Sequence, residues 1–288
     1  SFAAVVGYTV YGLLLALAWV RLAAVDAALT EAAIGGGLTG VLLIRAAVRL
    51  RQTEAVSRAE TPGPLFRAIA ALVAAGIAAA LAVVVLSLPE PGPTLAPHVA
   101  QHIATTGLGN AVTAVLLSFR AIDTLLEAVV LIFALIAVWT LTPDRFWGGL
   151  PGPKYETDPN GMLAYLARLL PPIGIVVAVY VLWVGADLPG GKFQAGTLLA
   201  AMWLLAIMAS LTEAPPISRR WLRGMLVAGT VVFLVIGFAG VPLAGAVLAH
   251  PAGYAKPLII AIEAASMASI AFTLALLVLG PPERSDRP

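Results

Sequence analysis

The chain has 288 residues, of which 60% are hydrophobic and 11% charged, with a formal net charge of +2, and its mean hydropathy is +0.97. Soluble domains carry about a quarter charged residues, so the composition excludes one and points to an all-α, polytopic membrane protein. The absence of cysteine excludes thiolate metal sites, iron–sulfur clusters and disulfides. The basic residues lie between apolar spans rather than on one patch, which leaves no nucleic-acid footprint.

A membrane helix needs about 20 mostly apolar residues, and eight stretches are candidates: 2–20, 25–50, 65–88, 121–141, 162–184, 193–211, 222–248 and 257–279. The first lacks a basic leading region and a small-residue cleavage site, so it reads as a retained helix and not as a signal peptide. A polar linker, RQTEAVSRAETPGP, follows the second, and a Pro-rich loop, PEPGPTLAP, follows the third. Residues 98–120 begin too polar and end too short to span; 112–119 suit an amphipathic turn or two in the interface. The segment TPDRFWGGLPGPKYETDPNG, rich in Pro, Gly and charge, reads as a linker between two subdomains. Pro257 stands where a helix begins, whereas Pro171 and Pro172 should kink or start the fifth span. Trp139, Trp147, Trp183, Trp203 and Trp221 fall mostly near span ends, as interfacial anchors do.

Lys and Arg divide unevenly between alternate sides. One side collects Arg45, Arg49, Arg51, Arg58, Arg67, Arg145, Lys154, Arg168, Arg219, Arg220, Arg223, Arg284 and Arg287, and the other has Arg21, Arg120, Lys192 and Lys256. By the positive-inside rule the first side is cytoplasmic. Both termini and the 142–162 segment are then expected in the cytoplasm, with the His98 loop outside.

Three acids, Glu31, Glu127 and Glu263, lie within predicted spans, and Asp26 and Asp123 lie near the outer ends of the second and fourth. Charge in a lipid core costs a few kcal/mol on insertion scales, so such residues face a protein interior or a wet cavity. A carboxyl in a low-dielectric site can be protonated near neutral pH and trade protons with water. Asp123 and Glu127, four apart, share a helix face. Glu31 opens the stretch EAAIGGGLTG, whose Gly35, Gly36, Gly37 and Gly40 include a GxxxG spacing that lets another helix come close. Two readings remain open at this point: a proton relay, or hydrogen-bonded groups that lock helices together. No lysine falls within a predicted span, whereas proton pumps usually pair opposite charges. His98 and His102 have the i, i+4 spacing of a metal pair, but no third ligand lies nearby and a Pro-rich loop is a poor scaffold, so they read as solvated loop residues. Gly190, Gly191 and Gly196 read as a tight turn between helices, since they lack the GxGxxG pattern of a phosphate cradle.

These residues also carry a family resemblance. VDAALTEAAIGGGLTGVLL resembles the (P)DVALTEAxxGxGLT signature of the MbhD domain, which also forms part of the carboxy-terminal region of the Mrp antiporter subunit MrpA. NAVTAVLLSFRAIDTLLEAVVLIFAL resembles the signature of the adjoining MbhE domain. LPGGKFQAGTLLAA and KPLIIAIEAASMASIA resemble the PGGGFxxG turn and final acid-bearing helix of MnhB/MrpB. The departures are the missing first MbhD helix, Lys192 where a glycine is usual, and Ala121, Ile122 and Leu126 within the RGFDTLGE wording. The large antiporter-like region of MrpA is not in this sequence, so the resemblance implies an accessory piece that works with a large proton-pumping subunit.

The resemblance implies MbhD-like helices over 1–60, MbhE-like helices over 61–145, a cytoplasmic linker over 146–161 and an MnhB/MrpB-like four-helix domain over 162–288. It implies a multi-pass protein of the cell's inner membrane, with Asp26, Glu31, Asp123, Glu127 and Glu263 on a path for H⁺ and Na⁺. No cofactor, metal site or covalent chemistry is expected, and the partners would be other Mrp-type subunits and the lipid bilayer. An ion-translocating membrane-arm subunit of a hydrogenase or complex I-like machine, and a structural scaffold, are the alternatives.

Overall fold

The computed structural model describes residues 2–57, 63–89 and 92–285. Arg58, Arg287, and the parts of the linker at 58–62 and of the Pro-rich loop at 90–91 lie outside the described residues. Helices α1 (Phe2–Arg21), α2 (Val25–Thr30), α3 (Thr39–Ser57) and α4 (Pro64–Leu86) come first, with a π-helical segment, π1 (Glu31–Leu38), joining α2 to α3. Next are α5 (Ala96–Thr106), α6 (Ala111–Ala114), a second π-helical segment, π2 (Val115–Phe119), and α7 (Ala121–Trp139). The remainder is α8 (Met162–Val184), α9 (Lys192–Met208), α10 (Arg220–Ala244) and α11 (Ala255–Leu279), with two short strands, β1 (Leu150–Pro151) and β2 (Pro282–Arg284). Among the described residues, seven helices are long and apolar enough to cross a membrane. The chain is an all-α, multi-pass membrane protein.

The sixth predicted span is α9, whose 17 residues rise only about 25 Å at 1.5 Å per residue, less than the roughly 30 Å of a hydrocarbon core. The second span is not one continuous α-helix. Its ladder widens to i→i+5 from Glu31 to Leu38, where the amide of Thr39 bonds the carbonyl of Ile34. Gly35, Gly36 and Gly37 favour the α-helix least among non-proline residues, which makes this the stretch where the helix can take up an extra residue.

The same glycines seat α1. A Cβ on Gly12 would stand 3.0 Å from the amide nitrogen of Gly36, and one on Gly40 would stand 2.9 Å from the Thr9 hydroxyl oxygen. The small-residue face foreseen after Glu31 therefore receives α1 backbone to backbone. Helix α11 lies at the centre of the second half, packed on α7, α9 and α10 and buried along its length, as a helix apolar all round must be. No residue of α4 is buried, although it is as long as a span.

Residues 96–119 correct the expectation of an interfacial turn. Helices α5 and α6–π2 meet at 87° as a broken or re-entrant span, and Ala114 and Leu117 are fully buried. The polarity that argued against a span is spent on tertiary bonds. The Gly109 and Asn110 amides both donate to the Ala186 carbonyl, at 3.0 and 3.1 Å, and the Thr113 hydroxyl donates to the Gly185 carbonyl at 2.7 Å. Lys256 Nζ donates to both oxygens of Asp187 at 2.7 Å, while the Gly109 amide reaches Asp187 Oδ1 at 3.2 Å. The Lys256 hydrogen bond holds the Asp187 carboxyl below its ordinary value of 3.8. Because that value is depressed, the clamp's contribution is present above the ordinary value and lost as pH falls through the lowered one, so it is constant near neutrality.

Other expectations change as well. His98 and His102 lie on α5 rather than in a loop, His102 Nδ1 bonding the His98 carbonyl oxygen at 2.8 Å. Helix α8 begins at Met162, so Pro171 and Pro172 lie inside it and do not start it. Trp139 is a core residue, and Trp203 packs edge-on to Phe272 at 5.0 Å, so neither is an interfacial anchor. The 146–161 segment is pinned rather than loose. β1 pairs antiparallel with β2, the Ile217 amide donates to the Gly149 carbonyl at 3.0 Å, and the Ser210 hydroxyl donates to the Tyr155 carbonyl at 2.8 Å. At that same end Arg45 donates to the Val278 and Leu279 carbonyls that close α11, and Arg284 lies 3.5 Å from Glu213.

Bulk at Gly12 must displace backbone, whereas a Cβ on Gly7 meets nothing within 4 Å. Gly12→Leu is expected to cost about 1–3 kcal/mol by overpacking, read as a lowered Tm of the detergent-solubilised protein, with Gly7→Leu unchanged. Equal Tm values for the two would show that α1 does not seat against π1.

A carboxylate-lined cavity with a buried lysine

The end of the molecule opposite β1 and β2 holds a cavity of about 900 Å³ whose lining includes Asp26, Glu31, Glu127 and Glu263 together with Lys192. Each charged group is brought there by a different local device. Glu31 begins π1, and its carboxyl lies over Gly35, where a Cβ would collide with Oε1; the glycine gives the side chain its space. Glu127 sits in the second turn of α7, a helix that starts after the break at Arg120, and the π2 residues Leu116 and Leu117 also face the cavity. Both π segments therefore border it, consistent with the tendency of such wide turns to occur at functional sites.

Asp26, on α2, is fixed by the turn between α8 and α9. The Gly190 amide donates to Asp26 Oδ1 at 2.9 Å, and Asn110 Nδ2 lies 3.4 Å from both carboxylate oxygens. Asn110 also caps α6 through its side-chain oxygen, 2.8 Å from the Val112 amide, and donates to the Leu188 carbonyl at 3.0 Å. Gly190 and Gly191 have φ of +152° and +129°, a region side chains disfavour, and this is what lets the turn present an N–H to the acid. The two glycines thus form the expected turn and also one wall of the site, whereas Gly196 lies inside α9.

Lys192, the first residue of α9, is 7% exposed. Its ammonium stands 3.6 Å from Glu127 Oε1, too long for a direct hydrogen bond, and that oxygen is buried without a hydrogen-bond partner. Glu263, in α11, is 4% exposed. Its Oε1 faces the Lys192 amide at 3.5 Å, while Oε2 is buried without a partner. Glu263 therefore faces the first turn of α9 as well as a nearby ammonium. Gln194 Nε2 donates to the Thr30 hydroxyl at 3.0 Å and ties the first turn of α9 to α2.

The structure thus brings together four of the five acids singled out from the sequence. Asp123 is the exception: it faces outward in an ion pair with Arg120 at 2.6 Å, because the backbone turn at Arg120 places the two side chains together. The larger correction is Lys192, which the spacing assigned to an outer loop; a lysine does occupy the interior. The sequence carried no signal for this, since a lysine directly after a Gly-Gly turn is usually solvated. Asn110 and Gln194 were also missed, since polar residues next to turns are usually solvated. Among the described residues no group of three metal-ligating side chains is present.

Comparisons with known proteins place both ends of the chain in known domain families. Residues 162–281 match the family described as a domain related to the MnhB subunit of Na⁺/H⁺ antiporter, and residues 1–52 match the MbhD family of MBH subunits. The fold matches a chain of the Mrp complex from Dietzia sp. with a TM-score of 0.70 and 25% identity, over 99% of this chain and 33% of that one. The chain carries the MbhD and MnhB-related domains of Mrp-type antiporter subunits. It also shares its fold with a chain of an archaeal membrane-bound sulfane sulfur reductase, with a TM-score of 0.62 and 24% identity, over 74% of this chain and 97% of that one. An uncharacterised protein of Methanocaldococcus jannaschii is 25% identical over 47% of this chain. The chain spans 58% of that relative's length and a third of the Dietzia chain.

A buried ammonium beside two carboxyls makes a thermodynamic prediction. Removing one partner of such a pair leaves an uncompensated charge, whereas removing both does not. Lys192→Met is expected to lower Tm more than Lys192→Met combined with Glu127→Gln, and a double-mutant cycle measures the coupling. Additive effects would mean that the two side chains do not interact.

Proposed function

We propose that the chain is an accessory membrane subunit of a multisubunit Mrp-type Na⁺/H⁺ antiporter, in which Asp26, Glu31, Glu127 and Glu263 form a hydrated path for H⁺ and Na⁺. The single observation that carries this reading is the convergence of four carboxylates and Lys192 on one cavity, built jointly by the first helices and by α9 and α11. An intramembrane charge cluster is costly and marks an ion pathway by default. Asp123, paired at the surface, takes no part. The domain division into 1–60, 61–145, 146–161 and 162–288 accompanies this reading, with the middle part MbhE-like. So does an inner-membrane location with both termini cytoplasmic.

The buried lysine pairs opposite charges within the chain, yet the chain is not expected to transport alone. Glu31, Glu127 and Glu263 all lie within a few turns of the helix ends at the Asp26 side, so the cavity reaches in from one end only. A large proton-pumping subunit is the partner that would complete the crossing. The shared fold with the archaeal sulfane sulfur reductase keeps a redox-driven membrane arm as the second reading, and the subunit composition of the purified complex separates the two.

Replacement of Glu31 or Glu127 by Gln preserves size and hydrogen bonding and removes titration. If these acids carry protons, cation-driven pH change in proteoliposomes of the assembled complex should fall by about 10²-fold or more, while subunit stoichiometry is unchanged. Full transport by both variants would assign the acids to helix association, where an amide replaces a membrane hydrogen bond worth about 0.6 kcal/mol. For orientation, single cysteines at Thr94 and Ser285 are expected to react with an impermeant reagent from outside and inside, respectively; the reverse pattern inverts the topology.

A further inference from the structure

Between Asp123 and Glu127 the first turns of α7 carry one further polar residue, Thr124, which the acid path does not use. Thr124 is 1% exposed, and its hydroxyl donates to the Leu116 carbonyl at 2.6 Å. A helical threonine ordinarily returns its hydroxyl to a carbonyl three or four residues back in its own helix. Thr9, Thr30 and Thr197 do so, bonding the carbonyls of Val5, Asp26 and Phe193. Thr124 reaches back eight residues instead, across the corner at Arg120, from α7 into π2.

The acceptor is open to it for a local reason. The Arg120 amide donates to the Val115 carbonyl at 2.8 Å, and this i→i−5 bond passes over Leu116, the partner that an α-helix would use. Arg120 then leaves helical geometry, with φ −132° and ψ 40°, and gives α7 no side-chain cap. On the outer side of the corner Asp123 pairs with Arg120, but both side chains are largely solvent-facing and such pairs contribute little. On the inner side the Thr124 hydroxyl takes the carbonyl that the wide turn released.

Glu127 follows Thr124 by three residues, one turn further along the same side of α7. The Thr124 bond therefore sets where this turn stands relative to π2, whose Leu116 and Leu117 line the cavity together with Glu127. Glu127 Oε1 in turn stands 3.6 Å from the ammonium of Lys192 on α9, a contact that a small displacement of the start of α7 would open. We infer that Thr124 is a positioning residue whose bond to the Leu116 carbonyl holds Glu127 in register with Lys192. Its consequence for transport rests on the proton-path reading above, whereas the register itself is a matter of geometry. Thr124 passes no proton; its hydroxyl hydrogen stays on the Leu116 carbonyl oxygen.

Thr124→Val removes the hydroxyl and keeps the shape. In that background the coupling between Lys192→Met and Glu127→Gln, read as the non-additive part of the Tm shifts of the full chain, is expected to fall to about half or less of its wild-type size. Thr124→Ser restores the hydroxyl and keeps the coupling, and so does Thr140→Val, which takes a hydroxyl from the far end of α7. A threonine with a merely structural role would lower Tm in the Val variant and leave the coupling at its wild-type size, which overturns the inference. Loss of the coupling in Thr124→Ser overturns it as well, whether or not Thr124→Val folds. In proteoliposomes of the assembled complex, proton flux is expected to fall about tenfold or more in Thr124→Val and to recover in Thr124→Ser. If Glu127→Gln abolishes flux while Thr124→Val changes neither flux nor coupling, the acid path stands and the positioning role falls. If Glu127→Gln keeps full flux while Thr124→Val weakens the coupling, the positioning role stands and the acid path falls.

Discussion

A lysine ammonium buried at the start of α9, 3.6 Å from Glu127 and beside Glu263, is the constraint on which the arrangement depends. An isolated charge at this depth would cost several kcal/mol, so α7, α9 and α11 must meet where their charges compensate one another. Once these helices are tied together, the turn before α9 is fixed too, and through the Gly190 amide it reaches across to Asp26. The electrostatics of one residue therefore couple the first helices of the chain to the last.

Close backbone approach supplies the mechanical counterpart. Gly12 against Gly36 brings α1 onto π1, and the same glycine run accommodates the wide π turn and the Glu31 carboxyl. In lipid there is little hydrophobic drive between helices, so small residues at the contact and interhelical hydrogen bonds provide the association. The re-entrant α5–α6 pair follows the same logic. Its backbone amides would be unsatisfied at membrane depth, and the Ala186 carbonyl together with Asp187 satisfies them. Irregular backbone is tolerated in a membrane only where protein or water meets its polar groups. Here it also lines the cavity.

The cavity draws on both of the matched parts of the chain. The MbhD match covers 1–52 and the MnhB match covers 162–281. The cavity lies between these two parts, with Asp26 and Glu31 from the first and Lys192 and Glu263 from the second. Residues between the matches supply Asn110 and Glu127. A site divided in this way needs the three parts in one fixed relation, which is a physical reason for carrying them on a single chain.

What the sequence by itself determined was the set of quantities that are local along the chain. A span is a property of about 20 consecutive residues, so all eight predicted stretches are helical in the structure, and the intramembrane acids could be counted before any fold was known. The GxxxG spacing foretold a close helix contact for the same reason, because the spacing defines one face of one helix. Which helix would fill that face was not legible. Partner choice was decided by tertiary structure: Lys192 meets Glu263 across 71 residues of sequence, and nothing at position 192 distinguishes an ammonium in a loop from one folded beneath a turn. Asp123 and Glu127 read alike as acids four apart on a helix, yet the backbone break at Arg120 sends one to the surface while the other faces Lys192. The π turns and the re-entrant pair were equally hidden, since their cost is met by hydrogen bonds from distant segments that only the assembled fold brings within reach.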